Sequence, residues 1–283
     1  REEKAKEYAS SITQGNYEEW KSRIILYSQI KSNDLATFPF FGKFLEFFGS
    51  ASPHLALRLL HEESDTLQHF IIAILIGIWS TDQKPVARQL MQDWINERKY
   101  LYFIVRFFEF NSEVDEILLK QVLDIAVAEN DANILMQMVI VAAKNYSERN
   151  KHLIDQLFFP AIKQLTKLKE SGWVFDFWYR NEGKKLLENM DKKSCQLLLG
   201  NLIYLKKIDH HAEEILFQIA KKNPELVIEF FGKRLALQND KIETGYDAVP
   251  FSFHKLAPAL SQIPDKAIEI VSSWYTSNGL FIH

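Results

Sequence analysis

A proline-led helical pattern recurs along this chain and restricts what it can fold into more than any other feature. An apolar helix end, a short break and a second amphipathic run read Phe44-Leu45, Phe48, Ser52-Pro53, Leu55-Ala56-Leu57, Leu59-Leu60. The same order returns as Ile215-Leu216, Ile219, Asn223-Pro224, Leu226-Val227-Ile228, Phe230-Phe231, and its second half as Pro264, Ala267-Ile268, Ile270-Val271. Pro224 and Pro264 stand 40 residues apart, and Pro53 stands 171 before Pro224, close to four such steps. Proline suits the first turn of a helix, where its missing N–H would have had no intrahelical acceptor. A period near 40 with two helices per unit marks stacked helical hairpins, none of which buries its apolar face alone.

Composition agrees. The chain has 283 residues, room for six or seven such hairpins, and its 47% hydrophobic and 25% charged residues argue against disorder. Ten glycines and eight prolines are too few for the turns of an all-β fold. A net charge of −3 gives no global case for nucleic acid. The lone Cys195 has no partner in the chain for a disulfide, and no signal peptide precedes Arg1-Glu2-Glu3-Lys4, so a reducing, cytoplasmic setting is expected. The chain lacks an initiator methionine and closes on the apolar Gly279-Leu280-Phe281-Ile282-His283. Both features read as a segment of a larger polypeptide. The most apolar window, Phe70 to Trp79, rises only about 15 Å as a helix, half of the ~30 Å hydrocarbon core, so it reads as a core helix and no transmembrane segment is expected.

Start signals place helix caps at Asn16, Ser52, Ser64, Ser112 and Asp131. Trp20, Ile24, Ile25 and Tyr27 form the expected inner stripe of a helix from Tyr17 to Ile30. A helix from Lys151 to Lys169 carries Pro160 in its interior and should kink or break there. Further hairpins are expected at 184–205, 212–237 and 253–277. No linker rich in Gly, Pro or Ser interrupts them, so residues 1–283 read as one continuous array. Two stretches fall outside the rhythm. One is Gly172 to Arg180, with five aromatics in nine residues; the other is the loop of residues 240–250.

Candidate chemistry is sparse. His210-His211 with Glu213 and Glu214 is the best metal-like cluster, but adjacent histidines are expected to point to different helix faces, and zincin spacing needs them four apart. His61-Glu62-Glu63 lacks a second correctly spaced ligand. Cys195, beside Leu197-Leu198-Leu199, reads as a buried thiol despite Lys192 and Lys193 nearby. Phosphate loops, dinucleotide fingerprints and nucleophile elbows are missing from the sequence. Accordingly, no catalytic residue, metal ligand or cofactor is assigned. Basic doublets recur as Lys184-Lys185, Lys192-Lys193, Lys206-Lys207, Lys221-Lys222 and Lys233-Arg234; if stacking aligned these helix ends, they would form a ridge able to hold phosphates. Trp173, Phe175, Trp178, Tyr179 and Arg180 are the residue types that anchor interfaces, and Tyr246 and Asp247 lie in the long loop.

On its period, proline positions and apolar pattern the chain resembles HEAT-like helical-repeat solenoids over most of its length. That resemblance implies an all-α solenoid of antiparallel hairpins with a right-handed superhelix, whose exposed face recruits other macromolecules. The function expected from it is a non-catalytic protein-binding scaffold or sensor region. Its anchors would be Trp173, Phe175, Trp178, Tyr179, Arg180, Tyr246 and Asp247. A nucleic-acid-binding module using the lysine-rich edge is the alternative. More remotely, some alkylpurine DNA glycosylases share this architecture and use tryptophans with an acidic residue, which Trp173, Asp176 and Trp178 echo.

Overall fold

The computed structural model describes residues 1–29, 39–111, 113–147, 149–177, 181–238, 245–253 and 255–274. Among them are seventeen α-helices and no strand, so the all-α class read from the pattern holds. No helix is long and apolar enough to cross a membrane among the described residues. The chain divides into two compact units, Arg1–Val122 and Leu123 onward.

The first unit contains α1 (Glu2–Ser10), α2 (Tyr17–Ser28), α3 (Pro39–Ala51), α4 (Pro53–Glu63), α5 (Ile71–Trp79), α6 (Lys84–Asn96), α7 (Leu101–Phe110) and the start of α8 (Glu116–Glu129). Helix α5 is the apolar window, and its Ile71, Ile74, Leu75 and Ile78 are wholly buried. It packs most closely on α3, and two glycines make that approach feasible. A Cβ on Gly77 would stand 2.0 Å from the Glu46 carbonyl oxygen, and one on Gly49 2.5 Å from that of Ile74. Beside them Ser50 Oγ donates to the Gly77 carbonyl at 3.3 Å. Trp79, at the end of α5, meets Phe107 and Phe108 of α7 edge-on at 5.0 and 6.0 Å.

Caps in this unit differ from expectation where a carbonyl competes for the hydroxyl. Ser52 occupies the N-cap of α4, but its Oγ donates to the Ile12 carbonyl at 3.2 Å instead of accepting from the helix. Ser64 ends α4 by donating to Leu60, and α5 begins only after a 3₁₀ turn at Gln68–Phe70. Asn16 precedes α2 but closes its own turn, accepting from Thr13 N–H at 2.7 Å and donating to Ser11 at 2.9 Å. Ser112 lies outside the described residues. Asp115 caps α8 in its place, accepting from Leu118 N–H at 3.1 Å while it pairs with Arg88 at 2.5 Å.

The second unit continues with α9 (Ala132–Lys144), α10 (Phe159–Leu168), α11 (Val174–Phe177), α12 (Asn181–Asn189), α13 (Lys192–Leu202), α14 (His210–Ala220), α15 (Pro224–Gln238), α16 (Leu256–Leu260) and α17 (Pro264–Ser272). Pro160 breaks the regular helix as expected. A π-turn at Ile154–Phe158 precedes it, Phe159 N–H reaches back five residues to Ile154, and Pro160 falls in the first turn of α10. Asp131, Asp191 and Asp209 each accept N–H bonds at the starts of α9, α13 and α14. Helices α8 and α10 end on non-glycine residues in the left-handed region, Asn130 (φ 58°) and Lys169 (φ 60°). The N–H groups that follow them close six-residue loops onto Ala126 and Leu165.

Equivalent positions of the proline-led pairs share burial. Leu45 and Leu216, Phe48 and Ile219, Ala56 and Val227, and Leu59-Leu60 and Phe230-Phe231 are all buried. The third copy differs, because α17 buries none of its residues and leaves Ile268 65% exposed.

Candidate functional site

The aromatic segment divides by exposure. Trp173 is buried at 1% exposure, and its indole N–H donates to Asn201 Oδ1 at 2.7 Å. Asn201, itself wholly buried, donates to Thr166 Oγ1 at 3.2 Å and to the Glu170 carbonyl at 2.9 Å. Phe177 packs edge-on against Trp173 at 5.2 Å. Trp173 is therefore part of the core of the second unit and is unavailable to a partner. Phe175 is 49% exposed and Asp176 is exposed, while Trp178, Tyr179 and Arg180 lie outside the described residues.

In the long loop, residues 240–244 lie outside the described residues. Tyr246 is buried and donates to the Ile203 carbonyl at 2.8 Å, whereas Asp247 is exposed. The same corner holds Arg234, placed on the basic edge by the sequence but wholly buried in the fold. Its guanidinium donates to the carbonyls of Leu205 (2.7 Å), Ala248 (2.8 Å), Ile203 (3.1 Å), Leu202 (3.4 Å) and Asp247 (2.5 Å), and lies over the Tyr246 ring. Burial pulls its pKa down to about 10, against the charges of Tyr246 and Asp247. Arg234 thus ties residues 245–248 to the end of α13 and presents no charge to solvent.

The other basic residues, Lys184, Lys185, Lys192, Lys193, Lys206, Lys207, Lys221, Lys222 and Lys233, are exposed. Several have local partners. Lys192 pairs with Glu225 at 3.1 Å, Lys221 donates to Gln218 at 2.8 Å, and Lys222 donates to the Glu188 carbonyl. Cys195 is buried, and burial pushes its thiol pKa up, away from nucleophilic use. Glu62 accepts from Arg58 (2.7 Å), Lys21 (3.0 Å) and Tyr17 (3.1 Å), which hold its carboxyl down to about 2. The expectation that His210 and His211 face apart is overturned, because their ring centroids are 3.8 Å apart. Both residues sit in the first turn of α14.

The structure brings together a surface that the sequence did not single out. Helices α1, α2 and α3 enclose a groove of about 560 Å³, within the range of ligand-binding clefts. Six aromatic residues line it: Tyr8, Trp20, Tyr27, Phe40, Phe41 and Phe44. Trp20 contacts Tyr8 at 6.0 Å and Phe44 at 5.6 Å, and Phe41 stacks on Phe44 at 6.2 Å. Tyr8, Tyr27 and Phe40 are 43–54% exposed, an unusual state for three neighbouring aromatics. Tyr27 belonged to the expected inner stripe of α2, yet only Ile24 of that stripe is buried. Arg1, Lys4 and Arg23 complete the lining, with Arg23 over the Trp20 ring at 5.1 Å and Arg1 over Phe40 at 5.7 Å. Among the described lining residues there is no carboxylate, imidazole or thiol.

No family model, curated protein or solved structure matches this chain. The chemistry of its own surfaces therefore has to indicate the function. Two other concavities contrast with the aromatic groove. One in the first unit, about 570 Å³, is lined by Glu62, Asp65, Asp93 and Glu97 against Lys99. One in the second unit, about 560 Å³, is apolar around Phe231, Phe253 and Trp274, with Asp247 as its only charged lining residue among those described. Of these three, the aromatic groove is the one that joins a large apolar floor to a cationic rim.

Proposed function

We propose that this chain is a protein-interaction module built from HEAT-like helical hairpins, and that it acts by binding instead of turnover. The hairpin reading is supported by three second helices, α4, α15 and α17, that each begin on proline. The binding reading rests on the groove of α1, α2 and α3, where six aromatics converge with Arg1, Lys4 and Arg23, the last also paired with Glu19 of α2 at 2.5 Å. The occupant that fits is an acidic amphipathic helix of a partner protein. Its apolar face at i, i+3/i+4 and i+7 would cover the exposed rings of Tyr8, Tyr27 and Phe40, and flanking Asp or Glu would meet Arg1, Lys4 and Arg23. Trp20 and Arg23 are the residue types whose loss costs interfaces most, about 2 kcal/mol or more each.

The test is selection from a library of helical peptides on the whole chain, followed by fluorescence anisotropy with the selected sequences. Enrichment of acidic amphipathic peptides is expected, with binding weakened tenfold or more by Trp20→Ala and by Arg23→Glu. Peptides that bind both variants as well as the parent, or selection of basic sequences, would sink the proposal. Nucleic acid that binds with a steep salt dependence, and loses it on Lys206→Glu/Lys207→Glu, would establish the lysine edge in its place.

A further inference from the structure

At the start of α14 three consecutive side chains converge. Asp209 Oδ1 accepts the N–H groups of His211 and Ala212, each at 3.0 Å, while Oδ2 stands 3.4 Å from His211 Nδ1. The His210 and His211 rings lie 3.8 Å apart at 53°. A different helix orients the second imidazole, because the Phe175 ring of α11 meets His211 edge-on at 5.7 Å. One ligand atom from each of Asp209, His210 and His211 lies within 4.8 Å of the other two.

We propose that Asp209, His210 and His211 form a site for one divalent transition-metal ion of the zinc class. At the widest spacing, an ion at the centre of the three ligand atoms would stand about 2.8 Å from each. An inward shift of about 0.7 Å per ligand reaches the ~2.0–2.1 Å of zinc–nitrogen and zinc–oxygen bonds. His210 is exposed, so its ring is within reach of an ion from solvent. Two imidazoles and one carboxylate suit zinc, copper or nickel; calcium and magnesium prefer shells of oxygen. The positive end of α14 opposes a cation here, and Asp209 offsets it by placing one oxygen on the helix N–H groups and the other on the ion. Three protein ligands leave a coordination position open to water or to a donor from a partner.

Titration of the whole chain with Zn²⁺ against a chromophoric chelator tests this, with a thermal melt as second readout. Expected is one ion bound per chain, weakened at least tenfold in His210→Ala and in His211→Ala and unchanged in His54→Ala, an exposed histidine of α4. Zn²⁺ should also raise the melting temperature of the parent but not of His210→Ala, whose fold circular dichroism can confirm. Absence of saturable binding would overturn the site, as would one-to-one binding that survives the double histidine variant or Ca²⁺ binding of equal strength.

Discussion

Replacing Gly77 by alanine should destabilise the first unit, although alanine is the better helix former. The propensity gain is about 1 kcal/mol. Against it stands the crossing of α3 and α5, where the new Cβ would lie 2.0 Å from the Glu46 carbonyl oxygen and 2.9 Å from Gly49 Cα and Ser50 N. All three obstacles are backbone, so no side chain can swing away. Restoring ordinary contact near 3.4 Å requires the helices to part locally by about 1.4 Å, and a gap of 0.5–1 Å already forfeits a quarter to a half of each dispersion contact. About 50 atom pairs across the crossing, at ~0.15 kcal/mol each, give a loss of roughly 2–4 kcal/mol. The net effect is then about 1–3 kcal/mol of destabilisation, in line with overpacked cores. Urea melts followed by helical circular dichroism measure it directly. Gly42→Ala is the matched control in α3, since nothing lies within 4 Å of a Cβ there, and it should be neutral or stabilising by up to about 1 kcal/mol. A Gly49→Ala/Gly77→Ala pair should cost less than the two singles together, because one separation relieves both clashes. Equal stability of Gly77→Ala and the parent would refute the close crossing.

Lys169→Gly should stabilise the second unit by about 0.5 kcal/mol, because Lys169 is exposed and held at φ 60°, where only glycine escapes the Cβ penalty; a loss in the same urea melt would contradict the αL cap. Arg234→Met should destabilise by about 3–5 kcal/mol, since it removes the five hydrogen bonds that the guanidinium gives to backbone carbonyls. Lys at this position should recover only part, as its ammonium has three donors. Glu62 has its pKa lowered from 4.5 to about 2. Its contribution is therefore complete above pH 4.5 and fades as pH falls toward 2, worth at most about 1 kcal/mol at this exposed site. Acid titration of stability should be shallower over that window in Glu62→Gln, and an identical profile would count against the Arg58–Glu62–Lys21 pairing.

What could be read from the sequence was local. Pro53, Pro224 and Pro264 each fall in the first turn of a helix, and Pro160, placed inside a helix by the sequence, follows a π-turn there, because the constraint on proline acts within one turn. The core position of Ile71 to Ile78 follows from an apolar run too short to span a bilayer. Side-chain destinations depend on neighbours distant in sequence and were less legible. Ser52 gives its hydroxyl to Ile12, forty residues away, and Trp173 gives its indole to Asn201. An aromatic segment has the same composition whether it anchors a partner or fills a core, and only that distant asparagine decides between them. The groove of α1 to α3 has no contiguous signature, since Tyr8, Trp20 and Phe40 come from three helices. The one signal available was Tyr27, whose place on the α2 stripe required a burial that its neighbours do not supply.

The buried polar residues of the second unit share a physical role that determines how its charges should be interpreted. Every helix leaves N–H groups at its start and carbonyls at its end without intrahelical partners. Glu213, 6% exposed, accepts the N–H groups of Lys255 (2.6 Å) and Leu256 (3.2 Å) at the start of α16. Asn201 answers the Glu170 carbonyl just beyond α10, and Arg234 answers those at the end of α13 and in the turn after it. In each case a formal charge or amide sits where backbone groups would otherwise be buried unpaired. Arg234 therefore carries a charge that counts toward a basic doublet in sequence and contributes nothing to a basic surface. Loss of nucleic-acid binding in Arg234→Ala would report a loosened α13–loop junction, not a lost phosphate contact. Lys233→Glu, one residue earlier and exposed, changes surface charge while leaving that junction intact, and is the substitution whose effect on binding can be assigned to contact.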